Sequence, residues 1–210
     1  LLNQKPELTY NCTMRTYRTV NLNALWFLIA LNVAIFIIEL ITGTGTATYS
    51  PLVSFLGLTP ALLSQQPWTI LTAIFVHYDF WHILFNMISL YFLGSFFLRA
   101  ASERSFLAVF FLGGLAGNLL FALLANPLST GIGASGAIFA IGGALAVIAP
   151  SVRVFIIPIP VPMPLWIAII ILLLLSFLFS GIAWQAHLGG LLAGVIAGFV
   201  LKRRGQASYF

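Results

Sequence analysis

Residues 184–201 have the sequence WQAHLGGLLAGVIAGFVL, an apolar run that contains a single histidine, His187. A helix needs about 20 mostly apolar residues to cross the hydrocarbon core of a bilayer, so this run predicts a membrane span. Glycine recurs every four positions at Gly190, Gly194 and Gly198, which gives the helix one face that can approach a neighbouring helix closely. An imidazole inside a membrane span is energetically costly, so His187 is a candidate functional residue.

The composition of the whole chain is also that of a membrane protein. Of its 210 residues, 61% are hydrophobic and only 6% are charged, which excludes an ordinary water-soluble domain. The formal net charge is +5, but the nine Lys and Arg residues cluster at the ends of apolar runs and form no single basic face, which argues against a nucleic-acid partner. Because Cys12 is the only cysteine, an intrachain disulfide is impossible.

Apolar runs divide the chain into predicted membrane spans. Four of them are long enough to cross a bilayer and two more are shorter; they cover 21–41, 80–98, 106–124 and 184–201, and then 135–149 and 165–179. We therefore expect an all-α membrane protein in which six transmembrane helices form one domain over 21–201. A short cytoplasmic arm at 1–20 precedes this domain, and a basic cytoplasmic tail at 202–210 follows it.

The distribution of charge predicts the orientation of the helices. Six spans put both termini and the second and fourth loops on one side, and all nine Lys and Arg residues fall on that side. By the positive-inside rule this side is cytoplasmic. The alternative is that the first span is a cleaved signal peptide with small residues at 46–48, but its length and the even number of spans argue against cleavage. The first loop, 42–79, mixes prolines with apolar clusters, so we expect it to lie in the membrane interface and to be partly helical.

Polar residues near the starts of two further spans are the other candidate functional groups. In the second span His82 and Asn86 are four residues apart, on one face of a helix. The fourth span begins in the Gly-rich segment GIGASG at 131–136, which puts Ser135 at a helix N-terminus. The unpaired N–H groups and the positive end of the helix dipole favour an oxyanion beside this serine. The second, fourth and sixth spans all run inward, so we expect these side chains and His187 near the outer ends of their helices.

These positions favour the chemistry of a Ser–His pair. Packing of the glycine face of the sixth span on the Gly142 and Gly143 side of the fourth would bring His187 to Ser135, where the imidazole can deprotonate the hydroxyl. No carboxylate lies where it could complete a triad, so we expect a dyad. The fourth span covers only about 22 Å, so we expect Ser135 below the outer surface of the membrane, in a cavity that is open to that side.

A metal site is the main alternative for the histidines. His77 and His82 are five residues apart, not four as in the His-Glu-x-x-His zinc motif, and no glutamate lies between them. We therefore expect no metal and no other cofactor.

The motifs resemble those of the rhomboid intramembrane serine proteases. In that family Gly-x-Ser-Gly opens the fourth span and Ala-His-x-x-Gly lies in the sixth; here the matching segments are GASG at 133–136 and AHLGG at 186–190. The second-span pattern His-x-x-x-Asn is matched by HILFN at 82–86. The resemblance extends over about Leu22 to Leu201 and implies a six-helix, rhomboid-like bundle.

The resemblance also implies roles for the candidate residues. Ser135 would be the nucleophile and His187 the general base and acid. His82 and Asn86 would stabilise the oxyanion together with the backbone at Gly133 and the backbone N–H of Ser135.

Four further residues would support the site. Gly136, Gly190 and Gly194 would allow close helix packing, and Phe139 would stack beneath His187. The chain departs from the family at Phe139, where a tyrosine is usual, and in the first loop, which lacks the usual Trp-Arg pair. The second departure leaves the anchoring of that loop open.

The predicted function is therefore an intramembrane serine endopeptidase that cleaves transmembrane protein substrates in or near their membrane spans. A catalytically silent rhomboid-like scaffold should lack Ser135 or His187, and a small transporter predicts internal repeats that the sequence does not show. Substrates would enter laterally past the fifth span, because alternate prolines over 158–164 predict an irregular cytoplasmic connection before it. The minimal six-span form indicates the cell membrane of a prokaryote, and the oligomeric state stays open.

Overall fold

The structure is a computed structural model, and it describes residues 20–43, 50–156, 159–179 and 181–206. Within these ranges the helices are α1 Asn23–Thr42, α2 Pro51–Leu56, α3 Thr69–Thr72, α4 Phe80–Ala100, α5 Glu103–Leu124, α6 Ser135–Ile148, α7 Leu165–Leu178 and α8 Trp184–Arg203, and the strands are β1 Arg153–Ile156 and β2 Ile159–Pro164. Nearly all of the predicted arm at 1–20, the end of the tail and the small residues at 46–48 lie outside the described residues.

Four helices are long and apolar enough to cross a membrane, namely α1, α4, α5 and α8. The helices α6 and α7 are also apolar, but each has 14 residues. At 1.5 Å per residue such a helix is about 21 Å long. All six helices begin and end within a few residues of the runs predicted from hydropathy, so the predicted helical structure is confirmed, with four helices long enough to cross a membrane.

The centre of the bundle is α6, which packs against α4, α5, α7 and α8. Its closest neighbour is α8. A Cβ atom added at Gly190 would collide with the carbonyl oxygen of Gly136, and one added at Gly194 would collide with that of Ala140. Since backbone meets backbone at both points, only glycine on α8 allows this approach.

The face of α6 that meets α8 differs in part from the predicted one. A Cβ atom at Gly143 would lie 2.8 Å from the carbonyl oxygen of Leu191, so Gly143 does face α8. Gly142 instead faces Ile169 of α7. The prediction was wrong for Gly142 because successive residues of a helix point about 100° apart, so two adjacent glycines do not share one contact face.

The segment between α1 and α4 is anchored without a Trp-Arg pair. It contains α2, α3 and the two 3₁₀ turns Pro60–Leu62 and Ala73–Phe75. The indole N–H of Trp68 donates to the carbonyl oxygen of Phe55 at 2.8 Å. The side-chain amide of Asn118 on α5 donates to the carbonyl oxygen of Ile70 at 2.9 Å. These bonds hold the loop to itself and to α5.

The same loop also fixes the chain that leads into α6. Leu58 and Gly131 form an isolated antiparallel bridge, with two N–H···O distances of 2.9 and 2.8 Å. The backbone N–H of Gly133 donates to the carbonyl oxygen of Ala73 at 2.8 Å. Non-helical backbone before α6 therefore has protein partners for its polar groups, as it must inside a membrane protein.

The connection between α6 and α7 contains two paired strands, where the prediction was an irregular segment. β1 and β2 form a two-stranded antiparallel hairpin in which Arg153 pairs with Pro164 and Val154 with Met163. Prolines at every second position remove N–H groups from one edge of β2 only, and the residues between them keep theirs. The alternation therefore leaves one edge able to pair with β1, which the count of prolines alone does not reveal.

Candidate active site

Ser135 and His187 lie in hydrogen-bond contact. The Nε2 atom of His187 is 2.8 Å from the Oγ atom of Ser135, although the two residues are 52 positions apart in the chain. His187 is buried and Ser135 is half-buried. The approach of α6 and α8 through Gly136 and Gly190 makes this contact possible, because His187 precedes Gly190 by about one helical turn.

The ring of His187 is held from one side by an aromatic stack. Phe139 lies one turn after Ser135 on α6, and its ring centroid is 4.4 Å from that of His187 at an interplanar angle of 19°. When Nε2 accepts the serine hydroxyl, the ring proton is on Nδ1. Nδ1 is buried and has no hydrogen-bond partner among the described residues. The ring is therefore oriented by stacking and by Ser135.

The N-terminus of α6 has no side-chain cap. Its N-cap residue is Ala134, whereas Asp79 caps α4 and Ser102 caps α5 through side-chain oxygens. An uncapped helix start leaves backbone N–H groups, including that of Ser135, free to bind an anionic ligand. The positive end of the helix dipole acts in the same direction.

Gly133 brings the backbone close to His82. Its φ angle is +111°, a conformation that favours glycine, and a Cβ atom there would lie 2.7 Å from the Nε2 atom of His82. The predicted site residues on α4 and in the segment before α6 therefore meet at this point.

His82 and Asn86 are oriented by hydrogen bonds around the start of α4. The backbone N–H of Tyr78 donates to Nδ1 of His82 at 3.3 Å, so the ring hydrogen of His82 is on Nε2, the atom beside Gly133. The Nδ2 atom of Asn86 donates one hydrogen to the carbonyl oxygen of His82 at 2.8 Å and keeps a second hydrogen available. The sequence analysis missed the backbone of Tyr78, for which no side-chain pattern gives a signal.

His77 is fully buried behind His82. The two ring centroids are 5.1 Å apart in an edge-on arrangement. Burial, and to a lesser degree the neighbouring His82, lower the pKa of His77 from 6.5 to about 3, so this ring is neutral near pH 7. Its Nδ1 atom lies 3.3 Å from the carbonyl oxygen of Phe75 and donates to it, and its backbone N–H donates to Glu39 at 3.3 Å.

Two cavities meet at Ser135. One has a volume of about 450 Å³ and is lined by the polar site residues and by loop residues such as Tyr78, Thr130 and Ala183. The other has a volume of about 390 Å³ and is lined mainly by apolar residues of α4, α6 and α7, including Phe85, Leu172 and Phe179. Asn86, Ser135 and His187 border both cavities.

The described ranges contain no group of three or more His, Cys, Asp or Glu side chains that could hold a metal ion. The groups gathered at the site are a hydroxyl, an imidazole and several hydrogen-bond donors, which is the set needed for acyl transfer to a serine.

Comparisons with known proteins agree on one family. A family profile described as a Rhomboid domain matches residues 64–204. The chain is 32% identical over 177 residues to the "Rhomboid protease GluP" of Bacillus subtilis, covering 84% of this chain and 34% of that protein. It is 31% identical over 150 residues to the "RHOMBOID-like protein 1" of Arabidopsis thaliana, covering 70% of this chain and 37% of that protein.

A third relative is of more similar size. The "Putative rhomboid protease YdcA" of Bacillus subtilis is 29% identical over 143 residues, which are 68% of this chain and 71% of that protein. The first two relatives are much longer than the region they share with this chain, which spans only 34% and 37% of their length.

Proposed function

We propose a function for this chain from one premise: it belongs to the Rhomboid family. The resemblance found in the motifs is thereby confirmed, and two of the relatives are named as proteases. The proposed function is that of an intramembrane serine endopeptidase, which hydrolyses peptide bonds in or near the transmembrane segments of other membrane proteins. The contact of 2.8 Å between Ser135 and His187, at the junction of two cavities within a bundle of apolar helices, carries this proposal.

In the proposed reaction Ser135 is the nucleophile and His187 is the general base and acid. The Oγ atom attacks the carbonyl carbon of the scissile peptide while its proton moves to Nε2 of His187. The C–N bond then breaks, the proton passes to the leaving nitrogen, and an ester to Ser135 remains. Water attacks this ester by the same route and releases the acid. Nδ1 of His187 has no hydrogen-bond partner among the residues that the structure describes, and this supports a dyad without a carboxylate.

The oxyanion of each tetrahedral intermediate would be bound by three donors. These are the Nε2–H of His82, the free amide hydrogen of Asn86 and the backbone N–H of Ser135. Three observations support these donors in turn: the tautomer of His82 puts a hydrogen on Nε2, the side-chain amide of Asn86 uses one of its two hydrogens within α4, and α6 starts without a side-chain cap. Donors that are already oriented before reaction stabilise charge without a reorganisation cost.

The substrate would approach from the lipid between α4 and α7. The second cavity lies along these helices and is mainly apolar, which suits the side chains of a transmembrane segment. The first cavity is more polar and would supply water. A helical substrate must unwind locally near the scissile bond, because hydrogen bonds within a helix shield its carbonyl groups.

The proposed membrane arrangement has six spans, with α6 and α7 as the two short ones. Both termini would be cytoplasmic, and the site would open toward the outer face of a prokaryotic cell membrane. The described Lys and Arg residues all lie at or beyond the ends of α4, α5, α6 and α8 that this arrangement makes cytoplasmic. The first loop would rest in the interface.

Labelling by a fluorophosphonate tests the proposal. We expect purified wild-type protein to be labelled in detergent, and Ser135→Ala and His187→Ala to lose the label. Ser64→Ala, at an exposed serine of the first loop, serves as the matched control and should label like wild type. Cleavage of a reconstituted transmembrane substrate should follow the same order. A folded wild type that neither labels nor cleaves would support a silent scaffold instead.

A further inference from the structure

Glu39 is a fully buried carboxylate in the last turn of an apolar helix. It lies on α1, which contributes no residue to the proposed catalytic set, and its side chain has no exposed surface. Its Oε2 atom accepts the backbone N–H of His77 at 3.3 Å, across 38 positions of sequence. Its Oε1 atom has no hydrogen-bond partner among the described residues. A buried carboxylate is expensive, so packing alone does not explain a glutamate here.

A short chain of contacts connects Glu39 to the proposed oxyanion site. The carboxylate holds the backbone at His77, and the next N–H along the chain, that of Tyr78, donates to Nδ1 of His82. The ring of His77 also packs edge-on against that of His82. His82 then presents Nε2 beside Gly133.

Asn32 shows what a purely internal polar residue on α1 does. It is fully buried, seven positions before Glu39, and so lies on nearly the same side of the helix. Its side-chain amide donates to the carbonyl oxygen of Leu28 on the same helix, and its Oδ1 atom has no partner among the described residues. Of these two buried polar residues, Glu39 makes the hydrogen bond that reaches the loop before α4.

We infer that Glu39 is a positioning residue that sets the tautomer and orientation of His82 through the backbone of His77 and Tyr78. This inference rests on the proposed function, since it assigns a role in the same oxyanion site. It predicts that loss of the carboxylate weakens stabilisation of the transition state and leaves substrate binding in the lateral cavity unchanged. The effect should therefore appear in kcat and not in KM.

Steady-state cleavage of a reconstituted transmembrane substrate provides the test. We expect Glu39→Leu to lower kcat about 10- to 100-fold with little change in KM, which is the range found when residues that orient metal ligands are replaced. Glu39→Gln keeps an oxygen acceptor for the N–H of His77 and should retain most of the activity. Asn32→Leu removes a buried polar group from the same helix and should leave kcat unchanged.

A double-mutant comparison separates positioning from stability. If Glu39 acts through His82, then Glu39→Leu should cause no further loss in a His82→Ala background, whereas an independent effect on the fold would multiply the losses. If Glu39→Leu does not fold, Glu39→Asp withdraws the acceptor by one methylene group and carries the same test. If His82→Ala leaves no measurable turnover, the ring ¹⁵N shifts of His82 decide: they should move toward the other tautomer in Glu39→Leu and not in Asn32→Leu.

The outcomes distinguish this inference from the proposed function. A wild type that does not cleave, or a Ser135→Ala variant that cleaves equally well, would refute the proposed function and the inference with it. An active wild type with unchanged kcat in Glu39→Leu, with multiplicative losses, or with unaltered His82 shifts would overturn the inference alone.

Discussion

Replacement of Gly190 by alanine should separate the two proposed catalytic residues without touching either of them. The new Cβ atom would collide with the carbonyl oxygen of Gly136. A carbon–oxygen contact needs about 3.3 Å, so α6 and α8 must move apart by at least about 1 Å at this level. The hydrogen bond between Ser135 and His187 is 2.8 Å long and lies within one helical turn of Gly190, so it would lengthen to about 3.8 Å or more, beyond hydrogen-bond range.

We expect this displacement to slow labelling of Ser135 by a fluorophosphonate about 100-fold, which is the usual cost of a 1 Å misplacement at a reacting centre. Overpacking should also lower stability by about 1–3 kcal/mol, measurable as a lower melting temperature in detergent. Gly142→Ala is the control, because a Cβ atom there meets only flexible side-chain ends, that of Ile169 at 3.0 Å and that of Leu93 at 3.7 Å. A folded Gly190→Ala variant that is labelled at the wild-type rate would refute the link between helix packing and the Ser–His contact.

Three further changes test single contacts. Gly133→Ala should reduce kcat strongly, because its Cβ atom would lie 2.7 Å from Nε2 of His82 in a strained backbone conformation; unchanged cleavage would exclude this approach. Phe139→Leu should lower kcat while Phe139→Tyr keeps it, since only the aromatic rings can stack on His187; equal rates would exclude the stack as an orienting contact. The folded pKa of His77 lies below its unfolded value, so the unfolded state binds the extra proton and stability falls as the pH drops below 6.5. We expect the free energy of unfolding to fall by about 2 kcal/mol between pH 6.5 and pH 5, measured from melting curves. The fall should be smaller in His77→Phe.

Helix positions could be predicted closely from the sequence because their signal is local. A run such as 106–124 has Asn118 as its one strongly polar residue, and the structure extends it only to Glu103–Leu124. Polar residues inside these runs were equally visible, which is why His82, Asn86, Ser135 and His187 could be named before their distances were known. Glu39 could also be recognised as an acidic residue within a span. Its partner is the backbone N–H of His77, however, and no pattern of side chains indicates such a bond.

Contacts between distant segments were not predictable in the same way. The bridge between Leu58 and Gly131 joins two loops that are separated in sequence by α3, α4 and α5. Neither loop has the alternation of apolar and polar residues that is typical of a strand. The hairpin of β1 and β2 depends on which edge the prolines occupy. Whether Gly142 faces α7 or α8 depends on the rotation of α6 about its axis relative to these two neighbours. In each case contacts between distant segments decide the structure, and the local propensity of the residues is only a weak guide to such contacts.

The short length of α6 links this tertiary structure to the proposed chemistry. The bonds of Leu58 to Gly131 and of Ala73 to Gly133 hold the chain in a non-helical path until Ser135. A span of about 20 residues would begin roughly six residues earlier, and its start would lie about 9 Å nearer the membrane surface. In the proposed orientation, the first loop therefore sets the depth of Ser135, because its hydrogen bonds keep those residues out of the helix. The loop also supplies hydrogen-bond partners at Gly131 and Gly133 for the polar backbone that this leaves at depth, as non-helical backbone inside a membrane protein requires.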